Sequence, residues 1–426
     1  MATHTHCRIC QTALPAPFLD FGGMPLANAF LASPEEGTNE ARYPLAVTAC
    51  PACQLVQLTH VVPAEQLYRN YIYVSATSET VKAHAAWLAR ELVTGYGWDR
   101  RHLLVEVASN DGTVLSAFQR AGLRVLGVEP AGNVAAIAEA NGVPTHVAFF
   151  TAATAQEIAS RHGRAACVLG RHVFAHVDDL HDFLEGVCVL LEEHGVFVVE
   201  VPYVGDLLAN LEFDTIYHEH LSYLSLAPLV RLCDRHGLRL VDVDRVGLHG
   251  GSVILRISRA ASRHAPSRRL EQMLEEERAR AWTSPQTLQR FGERVREWRG
   301  QMSGFIGDLR QQGARLIGYG AAAKGNTLLN YCPALAEALD GILDRNPLKH
   351  GRFTPGTHLK VKPAEQWAQA DATHMVILAW NFKEEIMRQM QPFAQRGGRF
   401  LIPIPQPEIL GAGGERCGPT MLAGRN

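Results

Sequence analysis

The sequence predicts an α/β protein in three parts: a small cysteine-rich module, a doubly wound nucleotide-binding sheet, and a second unit of the same kind. Three observations lead there. An apolar strand, Leu103 to Val107, runs into the polar turn Ala108-Ser-Asn-Asp-Gly112, a helix toward Gly122, and a strand Val125–Val128 closing on Glu129. Two Cys-x-x-Cys pairs, Cys7/Cys10 and Cys50/Cys53, precede it. Far behind, Gly318-Tyr-Gly320 repeats the strand–turn–helix pattern.

A strand, turn, helix and strand ending in an acid form the nucleotide-binding half of a doubly wound sheet, and that acid usually holds ribose hydroxyls. This turn has one glycine where a dinucleotide fingerprint has three, and it sets Glu106 and Asp111 where a pyrophosphate needs bare backbone donors. Carboxylates there repel phosphate and suit a ligand that carries an ammonium group and no phosphate. S-adenosylmethionine is such a ligand, and it is preferred to NAD on this loop.

The 426 residues suggest about three domains. A composition of 47% hydrophobic and 20% charged residues with net charge −2 is that of a globular protein and lacks the basic excess of nucleic-acid binders. No apolar run approaches the ~20 residues needed to span a bilayer. Met1-Ala-Thr-His-Thr-His6 lacks the charged and apolar regions of a secretion signal, so a cytoplasmic protein is expected, with its cysteines reduced or metal-bound. Two Cys-x-x-Cys knuckles can offer four thiolates tetrahedrally to zinc, whereas scattered thiols or two disulfides are the plainer alternatives. The 39 residues between the pairs require an insert that folds back. Four ligands close the shell, so the zinc is expected to be structural; His4 and His6 read as tail residues.

The cysteine module is expected over residues 1–75, the first sheet domain over 76–260 and the second α/β unit over 261–426. A helix near Glu79–Tyr96 enters the sheet, whose further strands are expected near Thr145–Val147, Ala166–Leu169 and Val196–Val201, apolar enough to be buried on both faces. Leu238–Val243 and Ser252–Ile257 read as a terminal antiparallel hairpin, an ending expected of class I methyltransferases and not of dehydrogenases. From Pro266 to Arg310 the chain is helical with a break near Pro285. Its seam Leu288, Phe291, Val295, Trp298, Met302, Phe305 and Leu309 steps by threes and fours. A coiled coil is one reading, and a helix laid on its own domain is preferred. Strands at Arg315–Ile317, Gly341–Leu343, Met375–Ala379 and Arg399–Ile402 build the last unit.

Chemistry concentrates in Phe213-Asp-Thr-Ile-Tyr-His-Glu-His220, just after the carboxyl edge of the first sheet, where open α/β sheets keep their active sites. Adjacent His-Glu-His side chains cannot all face one ion, so an acid–base site is preferred to a metal site or a plain loop. His176 follows the fourth strand at the same edge.

These segments resemble the sugar C-methyltransferases that act on nucleotide-linked ketodeoxyhexoses in antibiotic and surface-polysaccharide pathways. The resemblance rests on Cys7-Arg-Ile-Cys10, Pro25-Leu-Ala-Asn28, the loop from Glu106 to Leu115, Phe174-Ala-His-Val-Asp178, the run from Phe213 to His220, His249-Gly-Gly-Ser252, Tyr319-Gly-Ala-Ala-Ala-Lys-Gly-Asn326 and Pro355-Gly-Thr357. It departs at Ala108, where glycine is expected, and at Arg171-His172, where small or amide residues are common.

The resemblance implies a zinc module, a central class I (Rossmann-like) methyltransferase domain and a carboxyl-terminal Rossmann-like domain. It implies C-methylation beside the ketone of a nucleotide-linked (dTDP-linked) sugar, with His220 as the base that forms the enolate and Glu219 orienting it. Histidine, with an ordinary pKa of ~6.5, suits that work. Tyr217 and His176 are expected to hydrogen-bond the sugar or its developing oxyanion, and Tyr71 or Tyr73 to close the site. The donor is expected among Glu106, Ala108, Ser109, Asn110, Asp111, Gly112, Thr113, Leu115, Glu129, Pro130, Arg171 and His172. Tyr203, Gly320, Lys324 and Asn326 are expected around the sugar nucleotide. The Gly318–Gly320 turn with Lys324 reads either as a diphosphate cradle or as an empty relic of duplication. A monomer or small homo-oligomer is expected. The rivals are a zinc-containing NAD-dependent sugar oxidoreductase or epimerase, a zinc-knuckle RNA methyltransferase, and a non-catalytic scaffold.

Overall fold

The computed structural model describes residues 2–68, 71, 74–247 and 250–417. Two compact units appear, and neither is continuous in sequence: one gathers residues 2–17, 47–206 and 219–284, the other 18–46, 207–218 and 285–417. This differs from the consecutive parts 1–75, 76–260 and 261–426. Part of the reason lies in Phe213, which is fully buried among Phe21, Trp298 and Tyr331 at 6.3, 4.8 and 5.4 Å between ring centroids. Its segment and part of the insert between the cysteine pairs are therefore core of the second unit.

The first unit is built on seven strands: β1 (Leu103–Val107), β2 (Arg124–Val128), β3 (Thr145–His146), β4 (Ala165–Arg171), β5 (Leu191–Pro202), β6 (Leu238–Val246) and β7 (Ser252–Arg259). Their order is β6-β7-β5-β4-β1-β2-β3, with β1 to β5 parallel and β7 antiparallel to both β5 and β6. The expected hairpin is thus present, and its second strand is inserted beside the last parallel one. β1 is buried at every position, as a strand covered by helices on both faces must be. Helix α1 (Glu79–Tyr96) starts where Ser78 Oγ accepts the Val81 N–H and stops at left-handed Gly97. In the same unit Ser222–Tyr223 pairs with Val56–Leu58, which pairs in turn with Val47–Ala49.

The second unit carries β8 (Leu316–Tyr319), β9 (Leu339–Asp344), β10 (Val361–Pro363), β11 (His374–Ile377), β12 (Arg399–Ile402) and β13 (Glu408–Leu410). The order is β10-β9-β8-β11-β12-β13, parallel except for the last pair. β8 runs two residues further than the sequence suggests, because Gly318 and Tyr319 stay paired with Ile342 and Leu343 on one side and Val376 and Ile377 on the other. The expected apolar seam belongs to one long helix, Pro285–Gln311, and all seven of its residues are buried within this unit. Trp298 anchors it, 1% exposed and donating from Nε1 to Pro403 O at 2.9 Å. The helix is laid on its own domain. Among the described residues no helix is long and apolar enough to cross a membrane.

Trp298→Ala removes a buried aromatic and leaves a cavity, so it should destabilise the second unit by about 3–5 kcal/mol, read by chemical denaturation. A loss under about 1 kcal/mol contradicts this packing.

Candidate active site

The two cysteine knuckles are built alike. Gln11 and Gln54 are left-handed after each pair, their N–H groups bond back to Cys7 O and Cys50 O, and Ile9 N and Cys53 N point at the sulfurs of Cys7 and Cys50. The four Sγ atoms all lie within 4.8 Å of one another, a cage that fits one tetrahedral zinc with no position open for substrate. His4 turns to Asp178 instead, at 3.3 Å.

At the end of β1 the chain alternates into left-handed conformation at Ala108 (φ 55°), Asn110 (52°) and Gly112 (75°). A side chain at such a φ costs on the order of 1 kcal/mol, which is why glycine is the expected residue at 108. Asn110 N donates to Glu129 Oε2 and Ala131 N to Oε1, so Glu129 braces the turn from the end of β2. Thr113 N, at the start of the following helix, donates to Asp111 Oδ1. The side chains of Asn110 and Asp111 accept the Ser75 and Ala76 N–H groups at 3.0 and 2.8 Å, which seats that segment on the loop. Pro130 is half-buried beside Glu129.

Glu106 Oε2 and Ser109 Oγ are buried without a hydrogen-bond partner. Burial pushes the Glu106 carboxyl up to about 8, against the pull of Arg171. A buried acceptor of this kind is what an ammonium group satisfies, so the residues fit the amino acid end of S-adenosylmethionine. Burial also raises Glu129, opposed by the two backbone N–H groups it accepts.

Arg171 and His172, at the end of β4, surround Glu200 on β5. Arg171 Nε lies 2.6 Å and His84 Nε2 3.0 Å from Glu200 Oε2, and His172 Nε2 lies 3.4 Å from Oε1. Burial opposes ionisation of Glu200, but Arg171 and hydrogen bonds from the two histidines outweigh it and hold the carboxyl well below the usual range. His172 is itself lowered by burial.

The acid–base residues of the first unit converge. The His176 and His220 rings meet edge to face with centroids 4.9 Å apart. Tyr68 Oη lies 3.0 Å from His176 Nδ1 and 3.3 Å from Glu219 O, and Tyr71 Oη donates to Glu219 Oε2 at 3.3 Å. Burial pushes His176 down to about 3, with His172 adding to the shift. Arg8, between the first two cysteines, donates to Leu58 O, Leu221 O and Asp178 Oδ1 and so reaches both histidine-bearing segments.

Several expectations change. Leu115 is fully buried among Val114, Phe118 and Leu104 and is core rather than donor contact. Tyr203 is 2% exposed, and its hydroxyl bonds Glu277, whose carboxylate also accepts from Leu226 N, so it is a core brace and not a sugar ligand. Asn326 is 1% exposed; its Nδ2 donates to Ala27 O at 2.7 Å, and its Oδ1 is buried without a hydrogen-bond partner. The Gly320 N–H donates to Leu343 O, and a Cβ there would meet Ala379 Cβ at 2.8 Å; Ala321 N donates to Asp344 and Lys349 Nζ to Ala321 O. The backbone groups of Gly320 and Ala321 are thus paired with Leu343, Asp344 and Lys349. Lys324 stays half-buried, its Nζ 4.7 Å from the centre of the Trp380 ring. Tyr217 is half-buried and lies in the second unit; Tyr73 and His249 lie outside the described residues. Sequence reasoning missed Tyr68, Arg8, His84 and Glu200. Arg8 alone had a visible signal, being a charged residue inside a metal knuckle.

A sheet ordered β6-β7-β5-β4-β1-β2-β3, with an ammonium-ready acid at the end of β1, defines a class I methyltransferase. Family models match in series: a zinc binding domain over residues 7–68, a methyltransferase domain over 79–243 and a C-methyltransferase C-terminal domain over 247–405. C-methyltransferase NovU of Streptomyces niveus is 38% identical over 406 residues, 95% of this chain and 97% of that protein. Among solved structures, magnesium protoporphyrin IX methyltransferase ChlM from Synechocystis PCC 6803 with bound SAH aligns over 42% of this chain and 83% of its own, at TM-score 0.34 and 12% identity. Mitomycin 7-O-methyltransferase MmcR aligns over 43% and 55%, at TM-score 0.33 and 19% identity. The chain belongs to the S-adenosylmethionine-dependent C-methyltransferases that carry this zinc-binding, methyltransferase and carboxyl-terminal architecture. Its methyl donor is S-adenosylmethionine and its four-cysteine cluster is a zinc site.

Purified protein should hold about one zinc per chain by elemental analysis, as expected of a closed four-cysteine site; Cys10→Ser should lose most of it and lower the thermal midpoint. A second prediction concerns Glu106. Folded, it keeps its proton up to about pH 8, whereas an unfolded glutamate ionises near ~4.3. The folded state therefore binds the extra proton across that window, and this group's contribution to stability falls as pH rises through it. Glu106→Gln should remove that part of the slope in thermal unfolding between pH 5 and 8; equal slopes in the two proteins contradict the assignment.

Proposed function

We propose that the protein methylates a ring carbon beside the ketone of a nucleotide-linked, dTDP-type keto-deoxysugar, through an enolate formed by His220. The observation that supports this most is the meeting of His220, His176, Glu219, Tyr68 and Tyr71 in one unit with the donor loop. A carbon beside a ketone is a poor nucleophile until its proton leaves. His220 takes that proton, the C–H electron pair forms the carbon–carbon double bond, and the carbonyl pair moves onto oxygen. Glu219, held by Tyr71, orients the base and balances its charge as it becomes imidazolium. S-adenosylmethionine, when bound, supplies a methyl group on a sulfonium. The enolate carbon bonds to that methyl as its bond to sulfur breaks, and the thioether leaves neutral, so alignment matters more here than acid catalysis.

Within the second unit, Lys324 is the residue proposed to contact a diphosphate. It stands in the first turn of the helix Ala323–Tyr331, where the helix dipole favours an anion, and it rests on Trp380, whose Nε1 donates to buried Asp214 at 2.6 Å. Burial pushes Asp214 up to about 6, against the pull of Lys324 and of that indole.

Incubation with S-adenosylmethionine and a panel of dTDP-4-ketodeoxysugars should add one methyl group to a sugar carbon, read by mass spectrometry. In D2O, wild type should wash deuterium into the same carbon. His220→Ala should lower that exchange at least about 100-fold with donor affinity unchanged. Persistent exchange in the variant sinks the role of His220; methylation of no panel sugar sinks the substrate class.

A further inference from the structure

The protons around His176 can be counted. Tyr68 Oη is 3.0 Å from His176 Nδ1 and 3.3 Å from Glu219 O. A carbonyl oxygen only accepts, and a phenol carries a single proton. Both contacts are hydrogen bonds at once only when Tyr68 donates to Glu219 O and His176 Nδ1–H donates to Tyr68. The opposite assignment, Tyr68 donating to Nδ1, sets two oxygen lone pairs against each other at 3.3 Å in a part-buried site. Burial holds His176 neutral, so its ring has one proton to place. With that proton on Nδ1, Nε2 is a lone-pair acceptor.

The frame that imposes this is tight. Leu221 N donates to Ala175 O at 2.8 Å, which ties the segment after Glu219 to the turn Phe174–His176. Tyr68 also meets the Tyr71 ring at 5.9 Å, and Tyr71 is fixed to Asn133 through its backbone at both N and O. The Tyr68 ring thus touches a neighbour whose own backbone is fixed.

We propose that Tyr68 is a positioning residue that fixes His176 as its Nδ1–H tautomer, so that Nε2 accepts a hydrogen bond from a hydroxyl of the substrate ring. His176 then selects the sugar by that hydroxyl and does not stabilise the developing oxyanion, because an enolate oxygen gains nothing from a lone pair. This rests on the acid–base reading of the site given above. A buried acceptor left unpaired disfavours a substrate lacking the donor group, as sites built to hydrogen-bond a hydroxyl do. An amino substituent offers the same donor chemistry, and the test below separates the two.

Full-length, zinc-loaded protein labelled with 15N in its histidine rings is measured by NMR, and the His176 signals are assigned by their loss in His176→Asn. Wild type should show a protonated Nδ1 and a pyridine-like Nε2; Tyr68→Phe should shift the ring to the Nε2–H form or a mixture. A protonated Nε2 in the wild type overturns the proposal without any variant. The second arm compares kcat/KM for dTDP-4-ketodeoxysugars that carry a hydroxyl, an amine or only hydrogen beside the ketone. Wild type should prefer the hydroxyl sugar over the deoxy sugar about tenfold or more, and Tyr68→Phe should erase most of that preference with donor affinity unchanged. Preference for the amine assigns the donor group to nitrogen and overturns the hydroxyl. No preference in wild type, with the Nδ1–H tautomer present, overturns the selecting role. If no sugar in the panel is methylated, the substrate reading fails while the NMR arm still decides the tautomer.

Discussion

One guanidinium, that of Arg8, joins the cysteine knuckle to the segments that carry His176 and His220. It is 4% exposed and donates to Leu58 O and Leu221 O at 3.1 and 3.2 Å and to Asp178 Oδ1 at 3.0 Å, while its backbone N–H is taken by Gln57. Asp178 follows His176 by two residues and Leu221 follows His220 by one. The Arg8 Nε and Nη1 are paired while Nη2 is buried without a partner, and removing one side of a buried ion pair costs several kcal/mol, roughly 3–5. Arg8 sits between Cys7 and Cys10, and its hydrogen bonds reach the segments that carry His176 and His220.

The donor side follows a different logic, in which charge is concentrated and left incomplete. Glu200 is flanked by Arg171, His84 and His172 and stays ionised, although its Oε1 is buried without a hydrogen-bond partner. Glu106, one strand over from β4, keeps an unpaired oxygen and holds its proton. Two buried acids a few residues from the same sheet edge thus differ in charge, because Glu200 has hydrogen bonds from cationic and imidazole neighbours and the Glu106 Oε2 has none. The left-handed backbone at Ala108 adds a local cost that the hydrogen bonds to Val128 O and Glu129 offset.

Legibility varied with the kind of interaction. β1, α1 and the helical seam were readable because periodic burial writes itself into local sequence, and residues 103–107 and 79–96 have the expected bounds. Cys7, Cys10, Cys50 and Cys53 were readable because metal geometry demands paired thiols at fixed spacing. Tyr68 was not, since a tyrosine in a five-residue helix has no pattern to mark it, and its partners lie 108 and 151 residues away. Tyr203 shows the reverse case: a polar residue beside a motif looks like a ligand until its hydroxyl turns out to bond Glu277.

The sequence by itself determined the architecture, the zinc cage and the donor turn, because each depends on residues close along the chain or on spacing that only one chemistry uses. Tertiary structure alone decided that the chain crosses five times between its two compact units, that Ala321 pairs with Asp344 and Lys349, and that Tyr68 meets His176. Those outcomes depend on which distant donor meets which acceptor in a buried place, and no local pattern encodes that pairing.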